Sequence, residues 1–392
     1  MEARMAEALR VIGTSATLTE ALRRQAHADL DFPVQFEVLD GLSCQSRGVL
    51  SPDSYDVYDQ WFHSVDLLWT AGSIQPIDTS RIRHWRDVWA SDVFAGPGRG
   101  FGTRPADVLF VQPDRSLSAT PASAHPVISM LPTSYNMDSF AYGPELALRR
   151  HPAEPESWAW LLDGRWHGRC ALSLDPAASA VELALAVQAA GLMRIGDPGD
   201  LTVEEIDEMF GHLMARKRSG HFSRFWSSAE DSIRLLSTSG CVLSSLWSPA
   251  YYGLRSLDHA LTYAAPVEGY RGWHSGMSLS AALHGDRLDM AYRYLNWWLD
   301  GVPGAIMARQ GYYVSVPSRL CETLTDQEWD YWYGGLPAAA DLPDQSGAII
   351  VQKGERRAGG SYQQRLSNIT VWSTIMPEHN YLVRRWHEFL QG

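Results

Sequence analysis

Aromatic side chains are the most prominent candidates for chemistry in this sequence. The chain carries 16 Trp and 16 Tyr among its 392 residues. Such rings fill hydrophobic cores, where their large area is buried. They also line clefts, where they stack on apolar ligands or hold cations over their faces. We expect both uses here, with some rings in cores and others in a cleft.

Candidate catalytic residues do not form a known constellation. The sequence lacks the G-x-S-x-G turn of hydrolases and the H-E-x-x-H helix of zinc proteases. Ser275 lies in GWHSG, which has the wrong spacing for the hydrolase turn. His274 is its neighbour, but adjacent residues of an extended strand point to opposite faces, so the two side chains should not converge. We predict that the protein is not an enzyme and has no catalytic residue.

The four cysteines do not indicate a metal or redox site. None of Cys44, Cys170, Cys241 and Cys321 belongs to a C-x-x-C pair, which argues against zinc binding and thioredoxin-type chemistry. Buried free thiols are one interpretation, because a free cysteine behaves as a small hydrophobic residue. One or two disulfides are the alternative if the protein is exported. We expect no metal and no cofactor.

Composition limits the class of protein and its partners. Apolar residues make up 45% and charged residues 20%, which is typical of a globular chain long enough for two lobes. The net charge is −12 without a basic run, so we expect neither nucleic acid nor an anionic membrane as a partner. No stretch approaches the ~18 apolar residues of a membrane span. The first residues lack the pattern of a signal peptide, so either a leader is missing from this sequence or the protein is cytoplasmic.

The opening elements indicate an α/β protein. Residues 9–13 read as a buried strand, Thr17 and Glu20 are predicted to cap the following helix, and residues 34–40 alternate as the next strand. The segment SYDVY is a further predicted strand, and WFHSVDLLWTAG is a predicted helix that ends at Gly72. Strands that alternate with helices through short loops form parallel sheets. The glycine-rich segment AGPGRGFGTR lacks the features of a phosphate-binding loop and is predicted to be solvent-exposed.

The stretch Pro266–Pro317 organises the rest of the chain. It opens with PVEGY, a predicted strand that leads to Trp273, and ends with GVPGAIMARQGYYVSVP, a predicted turn, short helix and extended exit. Between them lies DRLDMAYRYLNWWLDG, a helical pattern from about His284. Its apolar residues recur at i, i+3 and i+4, which predicts one buried face. These residues are Leu288, Ala291, Tyr292, Leu295 and Trp298.

This stretch resembles the periplasmic substrate-binding proteins of ABC importers, of the spermidine/putrescine-binding type. In that family a P-x-E-G strand leads to a tryptophan of the ligand cleft. A helix with a dlAy-x-fiNwll pattern follows, and then a G-Y pair whose tyrosine also lines the cleft. The matching residues here are Pro266, Glu268, Gly269, Trp273, Ala291, Tyr292, Asn296, Gly311 and Tyr312.

Motifs elsewhere agree with this resemblance in order and spacing. It covers nearly the whole chain, from Leu9 to Leu390, and its C-terminal helix is matched by an amphipathic pattern. The residues that match the family are Gln60, Trp61, Phe62 and His63 in the first cleft loop; Asn136, Asp138, Phe140 and Tyr142 at the first crossing; Trp158, Leu161, Trp166, Gly168, Arg169 and Asp175; and Glu230, Leu235, Leu236, Gly240 and Trp247.

The resemblance implies an α/β, two-lobed periplasmic-binding-protein fold (type II), with a ligand cleft between lobes joined by hinge crossings. Lobe 1 would comprise residues 1–134 and 275–318, and lobe 2 residues 135–274 and 319–392. Closure of the lobes around a ligand is then the expected motion. The implied partners are a small-molecule amine ligand and ABC transporter permease subunits, the implied location is the periplasm, and we expect a monomer.

The implied ligand-binding residues are Ser15, Trp61, His63, Asp138, Asp175, Trp247, Trp273, Ser275 and Tyr312. Two of these have a local alternative. His63 would also suit the start of a helix, and Asp175 in LDPAA would also suit a helix cap with proline at the first helical position. The capping and binding roles of Asp175 are compatible.

The departures from the family concern the ligand. Polyamine binders hold ammonium groups with two or three carboxylates, because a desolvated cation must be paired. Here Ser275 and Ala178 stand at two of the acidic positions, and only Asp175 survives among those that can be matched. We therefore expect a monocationic or zwitterionic amine rather than a polyamine. The alternative is an enzyme or a cytoplasmic interaction protein on the same scaffold.

Overall fold

The computed structural model describes residues 7–91, 100–151 and 153–392. Its strands within these ranges are β1 (Leu9–Gly13), β2 (Val34–Val38), β3 (Val57–Trp61), β4 (Ile74–Gln75), β5 (Ile77–Asp78), β6 (Phe110–Val111), β7 (Leu117–Ser118), β8 (Val127–Ile128), β9 (Leu131–Tyr142), β10 (Cys170–Ser173), β11 (Phe222–Trp226), β12 (Leu243–Leu246), β13 (Thr262–Tyr263), β14 (Tyr270–Ser280), β15 (Tyr313–Val314), β16 (Leu342–Pro343), β17 (Ile349–Val351) and β18 (Ile369–Trp372).

The α-helices in the same ranges are α1 (Glu20–Asp29), α2 (Gly41–Leu50), α3 (Val65–Thr70), α4 (Trp85–Trp89), α5 (Pro144–Arg149), α6 (Pro176–Ala189), α7 (Val203–Arg218), α8 (Ala229–Thr238), α9 (Ser248–Ser256), α10 (Asp286–Trp298), α11 (Val302–Ala308), α12 (Asp326–Trp332), α13 (Tyr362–Ser367) and α14 (His379–Gln391). Short 3-10 helices are Pro52–Ser54, Phe62–Ser64, Thr79–Arg81, Pro105–Val108, Trp158–Leu162, Gly164–Trp166 and Pro317–Glu322.

The chain divides into two compact units, each built from several segments. The described part of unit 1 comprises residues 7–91, 104–136 and 273–325, and that of unit 2 comprises residues 100–103, 137–272 and 326–392. The boundaries fall inside β9, between Asn136 and Met137, and inside β14, between Gly272 and Trp273. Each of these two long strands therefore contributes one half to each unit.

Unit 1 contains a mixed sheet with the order β2-β1-β3-β14. Strands β1, β2 and β3 are parallel, whereas β14 runs antiparallel to β3, with Ser275 opposite Trp61 and Met277 opposite Asp59. Strand β4 extends β14, and β15 pairs with the unit 1 half of β9. A smaller antiparallel sheet has the order β5-β8-β6-β7. The parallel strands place the loops after β1 and β3 at one edge, because parallel carboxyl ends meet there.

Local sequence explains most helix boundaries in unit 1, with one correction. The predicted cap at Thr17 is wrong: Thr19 precedes α1 and its side chain accepts a hydrogen bond from Leu22 N at 3.2 Å. Helix α10 follows the predicted pattern and buries Ala291, Tyr292, Leu295 and Trp298, together with residues beside them. Leu288, in its first turn, is half-buried.

Unit 2 contains a sheet with the order β11-β10-β12-β9. Strands β10, β11 and β12 are parallel, and β12 runs antiparallel to the unit 2 half of β9. Strand β18 lies parallel to the first residues of β14. Helices α6, α7 and α14 supply much of the core, with Leu183, Phe210 and Trp386 among its buried residues. The predicted capping box of α7 is confirmed, since Thr202 and Glu205 bond reciprocally to each other's backbone N–H.

The segment before β14 differs from the prediction. PVEGY was predicted as a strand, but Pro266–Gly269 forms a turn and the strand begins at Tyr270. Gly269 has φ +92°, and a Cβ there would lie 2.4 Å from Asn368 O. This conformation and this close approach both require glycine. The turn therefore fixes where β14 starts and which of its residues share a face.

Several predicted features concern single residues or short segments. Among the described residues no disulfide joins the four cysteines; Cys44 and Cys170 are buried, Cys241 is half-buried and Cys321 is exposed. In the same part of the chain no helix has both the length and the hydropathy to cross a membrane. The first half of the predicted glycine-rich loop, residues 95–99, lies outside the described residues; in its second half Phe101 pairs with Val371 in an isolated bridge.

Candidate functional site

The first set of candidate residues lies at the edge of the unit 1 sheet where β1 and β3 end. Trp61 closes β3 and pairs in register with Ser275 of β14. His63, in the 3-10 helix that follows, stacks on Trp61 with ring centroids 5.4 Å apart and an interplanar angle of 14°. Ser15 lies in the turn after β1, at the same edge and half-buried. The register thus brings together four predicted residues from three separate segments.

Two further rings complete this group. Trp273 lies two residues before Ser275, on the same face of β14. Tyr312, in the turn before β15, meets its ring edge-on at 5.3 Å. Both rings are buried. We call the six residues Ser15, Trp61, His63, Trp273, Ser275 and Tyr312 the aromatic edge.

The indole N–H of Trp273 is a buried donor without a hydrogen-bond acceptor among the described residues. Trp273 is 5% exposed. Buried donors in folded proteins are nearly always paired. A ligand with an acceptor group would satisfy this donor. Trp298 Nε1, in α10, is also buried without an acceptor in the described part of the chain, which provides a matched comparison away from the aromatic edge.

Ser275 is joined to a buried acid. Its Oγ donates to Gln60 O at 3.3 Å and lies 3.5 Å from Asp59 Oδ1. Asp59 is completely buried. Burial raises the pKa of Asp59 to about 7, although the Ser275 hydroxyl opposes this shift. The carboxyl group therefore takes up its proton near neutral pH. Asp59 was not identified from the sequence; the signal was an acid inside the buried strand VYDQW.

His274 lies on the opposite face of β14 from Trp273 and Ser275, as predicted for neighbours in a strand. Its Nδ1 donates to Ser275 O at 2.6 Å, and its ring stacks on Tyr135 at 5.0 Å. Burial lowers the pKa of His274 to about 3. The imidazole is therefore neutral at physiological pH.

In unit 2, Asp175 and Trp247 follow neighbouring parallel strands. Asp175 comes two residues after β10, and Trp247 directly follows β12. The register pairs Ala171 with Ser244, so the two residues lie at the same edge of the sheet. Trp226, the last residue of β11, meets the Trp247 ring edge-on at 4.9 Å. Trp226 was not identified from the sequence; it fixes the position of Trp247 from one side.

Asp175 serves as a helix cap. Its Oδ1 accepts from Ala177 N at 2.9 Å and from Ala178 N at 3.4 Å, with Pro176 at the first helical position of α6. The predicted alternative role of a cap is thus present. Burial raises the pKa of Asp175, opposed by these two N–H groups and by the charge of Arg271. The residue as a whole is half-buried.

Asp138 belongs to a buried ion cluster. Arg271 donates to Asp138 Oδ2 at 3.1 Å, to Glu182 Oε1 at 2.9 Å and to Ser373 Oγ at 2.8 Å. We call these four residues the ionic cluster. Side chains of its three charged members are at most 3% exposed. Arg271 on β14 therefore forms an ion pair with Asp138 on β9.

The charges of the ionic cluster do not balance formally. One guanidinium faces two carboxylates, so an excess negative charge would be buried if both ionised. Burial accordingly raises the pKa of Glu182 to about 7, while Arg271 opposes the shift. Burial lowers the pKa of Arg271, but Glu182 and Asp138 raise it more strongly, and its net shift is upward. The sequence signal for Glu182 was a single acid within the apolar helix ASAVELALAV.

Comparison with solved structures identifies the fold. A protein from Listeria monocytogenes, provisionally assigned as a spermidine/putrescine ABC transporter, matches with a TM-score of 0.67 and 12% identity over 98% of both chains. The spermidine/putrescine substrate-binding protein PotD from Streptococcus pneumoniae matches with 0.61 and 13% over 98% of both chains. The binding protein AgtB from A. tumefaciens, solved with agropinic acid, matches with 0.61 and 14% over 99% of this chain and 100% of that one.

Sequence comparison adds nothing to these matches: no family model and no curated protein matches the chain. At 11–15% identity the structural matches establish the fold alone. The predicted resemblance is confirmed at that level. The chain has the two-lobed α/β fold of the substrate-binding proteins of ABC transporters.

Proposed function

We propose that the protein is the solute-binding component of an ABC import system. The observation that carries this proposal is the match of fold over the whole length, 98% of this chain and 98% of PotD. Fold alone does not determine function, but the candidate residues add support. In each unit some of them, Trp61 in unit 1 and Asp175 and Trp247 in unit 2, lie at the carboxyl ends of parallel strands, where open α/β sheets bind ligands.

The proposed ligand is a small amine that also carries a hydrogen-bond acceptor, such as an amino acid or a betaine. The Asp175 carboxylate and the face of Trp247, at one edge of the unit 2 sheet, suit one cationic centre. The buried Trp273 N–H suits a carboxylate or carbonyl oxygen. The ABC permease subunits, the monomeric state and the periplasmic location belong to the same proposal.

A polyamine would fit less well. Ser275 donates to Gln60 O, and Asp59 behind it is completely buried. Ala178 contributes only its backbone N–H, to Asp175. A spermidine molecule would leave an ammonium group without a carboxylate, which costs several kcal/mol, roughly a thousandfold or more in affinity.

Titration calorimetry with amino acids, betaines, monoamines, putrescine and spermidine tests the ligand class. We expect a monocationic or zwitterionic amine to bind more tightly than spermidine. It should also raise the melting temperature, because it binds the native state alone. Micromolar or tighter binding of spermidine would overturn the ligand class, and release of a chemically changed product would overturn the assignment as a binding protein without turnover.

Variants then test the site. Asp175→Asn and Trp273→Phe should each weaken binding by about 1–3 kcal/mol, the range for charge-assisted hydrogen bonds and desolvated cation–π contacts. Trp298→Phe is the matched control, since its indole N–H is also buried without an acceptor in the described part of unit 1. Equal losses in Trp273→Phe and Trp298→Phe would show that the effect is structural and that the site is elsewhere.

A further inference from the structure

A separate cavity lies entirely within unit 2. Its volume is about 220 Å³, several times the ~30 Å³ that a water molecule occupies in the liquid. Its lining comes from α9, β13, α12, the loop that carries Arg356 and Arg357, and α13. None of the nine residues predicted to bind the ligand lines this cavity. Its nearest approach to them in the chain is Ser248, which directly follows Trp247.

Four tyrosines form one part of its wall: Tyr251, Tyr252, Tyr263 and Tyr331. Tyr251 meets Tyr252 edge-on at 4.9 Å and lies 5.2 Å from Tyr263. These rings give the cavity flat apolar surfaces. Burial raises the pKa of Tyr331 and, against the charges of Arg357 and Arg365, that of Tyr252. The phenols therefore remain protonated and able to donate hydrogen bonds at neutral pH.

The other part of the wall is cationic. Arg356, Arg357 and Arg365 line the cavity together with one acid, Glu355. Glu355 is bound by Arg255 at 2.6 Å, a residue that does not line the cavity, so its charge is balanced from outside. The lining thus carries an excess of positive charge, which favours an anion.

Two of the guanidinium groups are held in place by the protein backbone. Arg357 donates to Trp332 O at 2.8 Å, and Arg365 donates to Ala358 O at 2.6 Å and Met137 O at 2.8 Å. Arg357 is 5% exposed and Arg365 is 1% exposed. Arg356, by contrast, is exposed, so the lining extends from the buried interior to the surface. A ligand can therefore reach fixed cationic groups from solvent.

We propose that this cavity binds a small organic carboxylate, with its acidic group beside Arg356 and Arg357 and its body against the tyrosine rings. The combination of flat apolar walls with fixed guanidinium groups favours an organic acid over an inorganic anion. This second site is independent of the proposed amine site.

Benzoate and benzylamine test the charge preference on the full chain, because they share a ring and carry opposite charges. We expect benzoate to raise the melting temperature and to bind with one-to-one stoichiometry in calorimetry, and benzylamine not to compete with it. Acetate should bind more weakly than benzoate, because it lacks the ring. Tighter binding of inorganic phosphate than of benzoate would overturn the ligand class. Absence of benzoate binding at benzoate concentrations of about 10 mM would overturn the site.

Three conservative variants locate the binding. Arg356→Gln removes an exposed charge, and Tyr331→Phe removes one buried hydroxyl; each should weaken benzoate about three- to tenfold, as expected for one hydrogen bond. Tyr333→Phe is the matched control, because Tyr333 is buried nearby but does not line the cavity. Unchanged benzoate affinity in both Arg356→Gln and Tyr331→Phe would overturn the proposal. Trp273→Phe should leave benzoate binding intact, which separates this proposal from that of the amine site.

Discussion

Two regions of the molecule bury ionisable groups, and they differ in whether a buried charge is retained. Beside the aromatic edge of unit 1, burial is the main cause of the pKa shifts of Asp59 and His274, and it moves both groups towards the neutral form. In the ionic cluster of unit 2, Arg271 keeps its charge because Asp138 and Glu182 surround it. The first region neutralises both of its groups, whereas the second keeps Arg271 charged beside two carboxylates, although burial raises the pKa of one of them, Glu182, to about 7. The comparison shows that burial alone does not determine the charge of a site; the available partners do.

The largest effect is expected when the pairing is broken. Arg271→Met would leave Asp138 and Glu182 buried without a cation, and we expect a loss of about 3–5 kcal/mol in the free energy of unfolding at pH 7. Urea denaturation measures this loss. Glu182→Gln is the control, since it keeps an acceptor for Arg271 and leaves Asp138 as the counter-ion; it should change stability by no more than about 1 kcal/mol. An equal loss in both variants would contradict the paired description.

Asp59 provides the second test. Its folded pKa of about 7 lies above the ordinary value of 3.8, so the native state binds the proton more tightly than the unfolded chain. The contribution of protonated Asp59 to the free energy of unfolding is complete below about pH 4. It is lost as the pH rises through the folded pKa of about 7, because the unfolded chain releases this proton more readily. Asp59→Asn removes this loss. We expect the free energy of unfolding of Asp59→Asn to exceed that of the wild type by on the order of 2–4 kcal/mol at pH 8 and to match it near pH 4.

Asp56, three residues earlier, is the control for Asp59. It is equally buried but lies 2.9 Å from Arg10 Nη2 and 3.2 Å from Arg287 Nη1. Asp56→Asn should therefore destabilise the protein at pH 8, the opposite sign to Asp59→Asn. The same sign in both variants would show that pairing does not distinguish the two acids.

His274 gives the smallest of these effects and the opposite pH dependence. Its folded pKa of about 3 lies below the ordinary 6.5, so the unfolded chain binds the proton more tightly. The contribution of neutral His274 to the free energy of unfolding is complete above pH 6.5. It is lost as the pH falls from 6.5 towards the folded pKa of about 3. At pH 5 the loss is about 2 kcal/mol. His274→Phe should lessen the decline of the melting temperature between pH 7 and pH 5, and an unchanged decline would contradict the assignment.

Sequence patterns predicted the elements better than the contacts. Periodicity located α10, and the Thr202–Glu205 capping box placed the start of α7, because both signals are local. The cap of α1 was misplaced by two residues, since Thr17 and Thr19 are equally suitable as caps. PVEGY looked extended, but the φ of Gly269 made it a turn. Local signals fail where several conformations suit the same residues.

The candidate site was predicted residue by residue, but its chemistry was not. The sequence pointed to Asp175 and Trp247, and the structure places both at one sheet edge. It did not reveal that Arg271 joins Asp138 and Glu182, which lie 133 and 89 residues away in the chain. Such pairs depend on the tertiary fold. A lone acid in an apolar helix indicates that a partner exists, but not which residue it is.

The division of β9 and β14 between the units has a consequence for synthesis. Unit 1 is interrupted by residues 137–272, and its last strands come from residues 273–325. At typical translation rates, the ribosome takes roughly 7–27 s to make the intervening 136 residues. During this time β1, β2 and β3 have been made but lack β14, so the edge of β3 that β14 will cover is unpaired. An unpaired edge is a template for aggregation, and the nascent chain therefore needs protection during a definite interval of its synthesis.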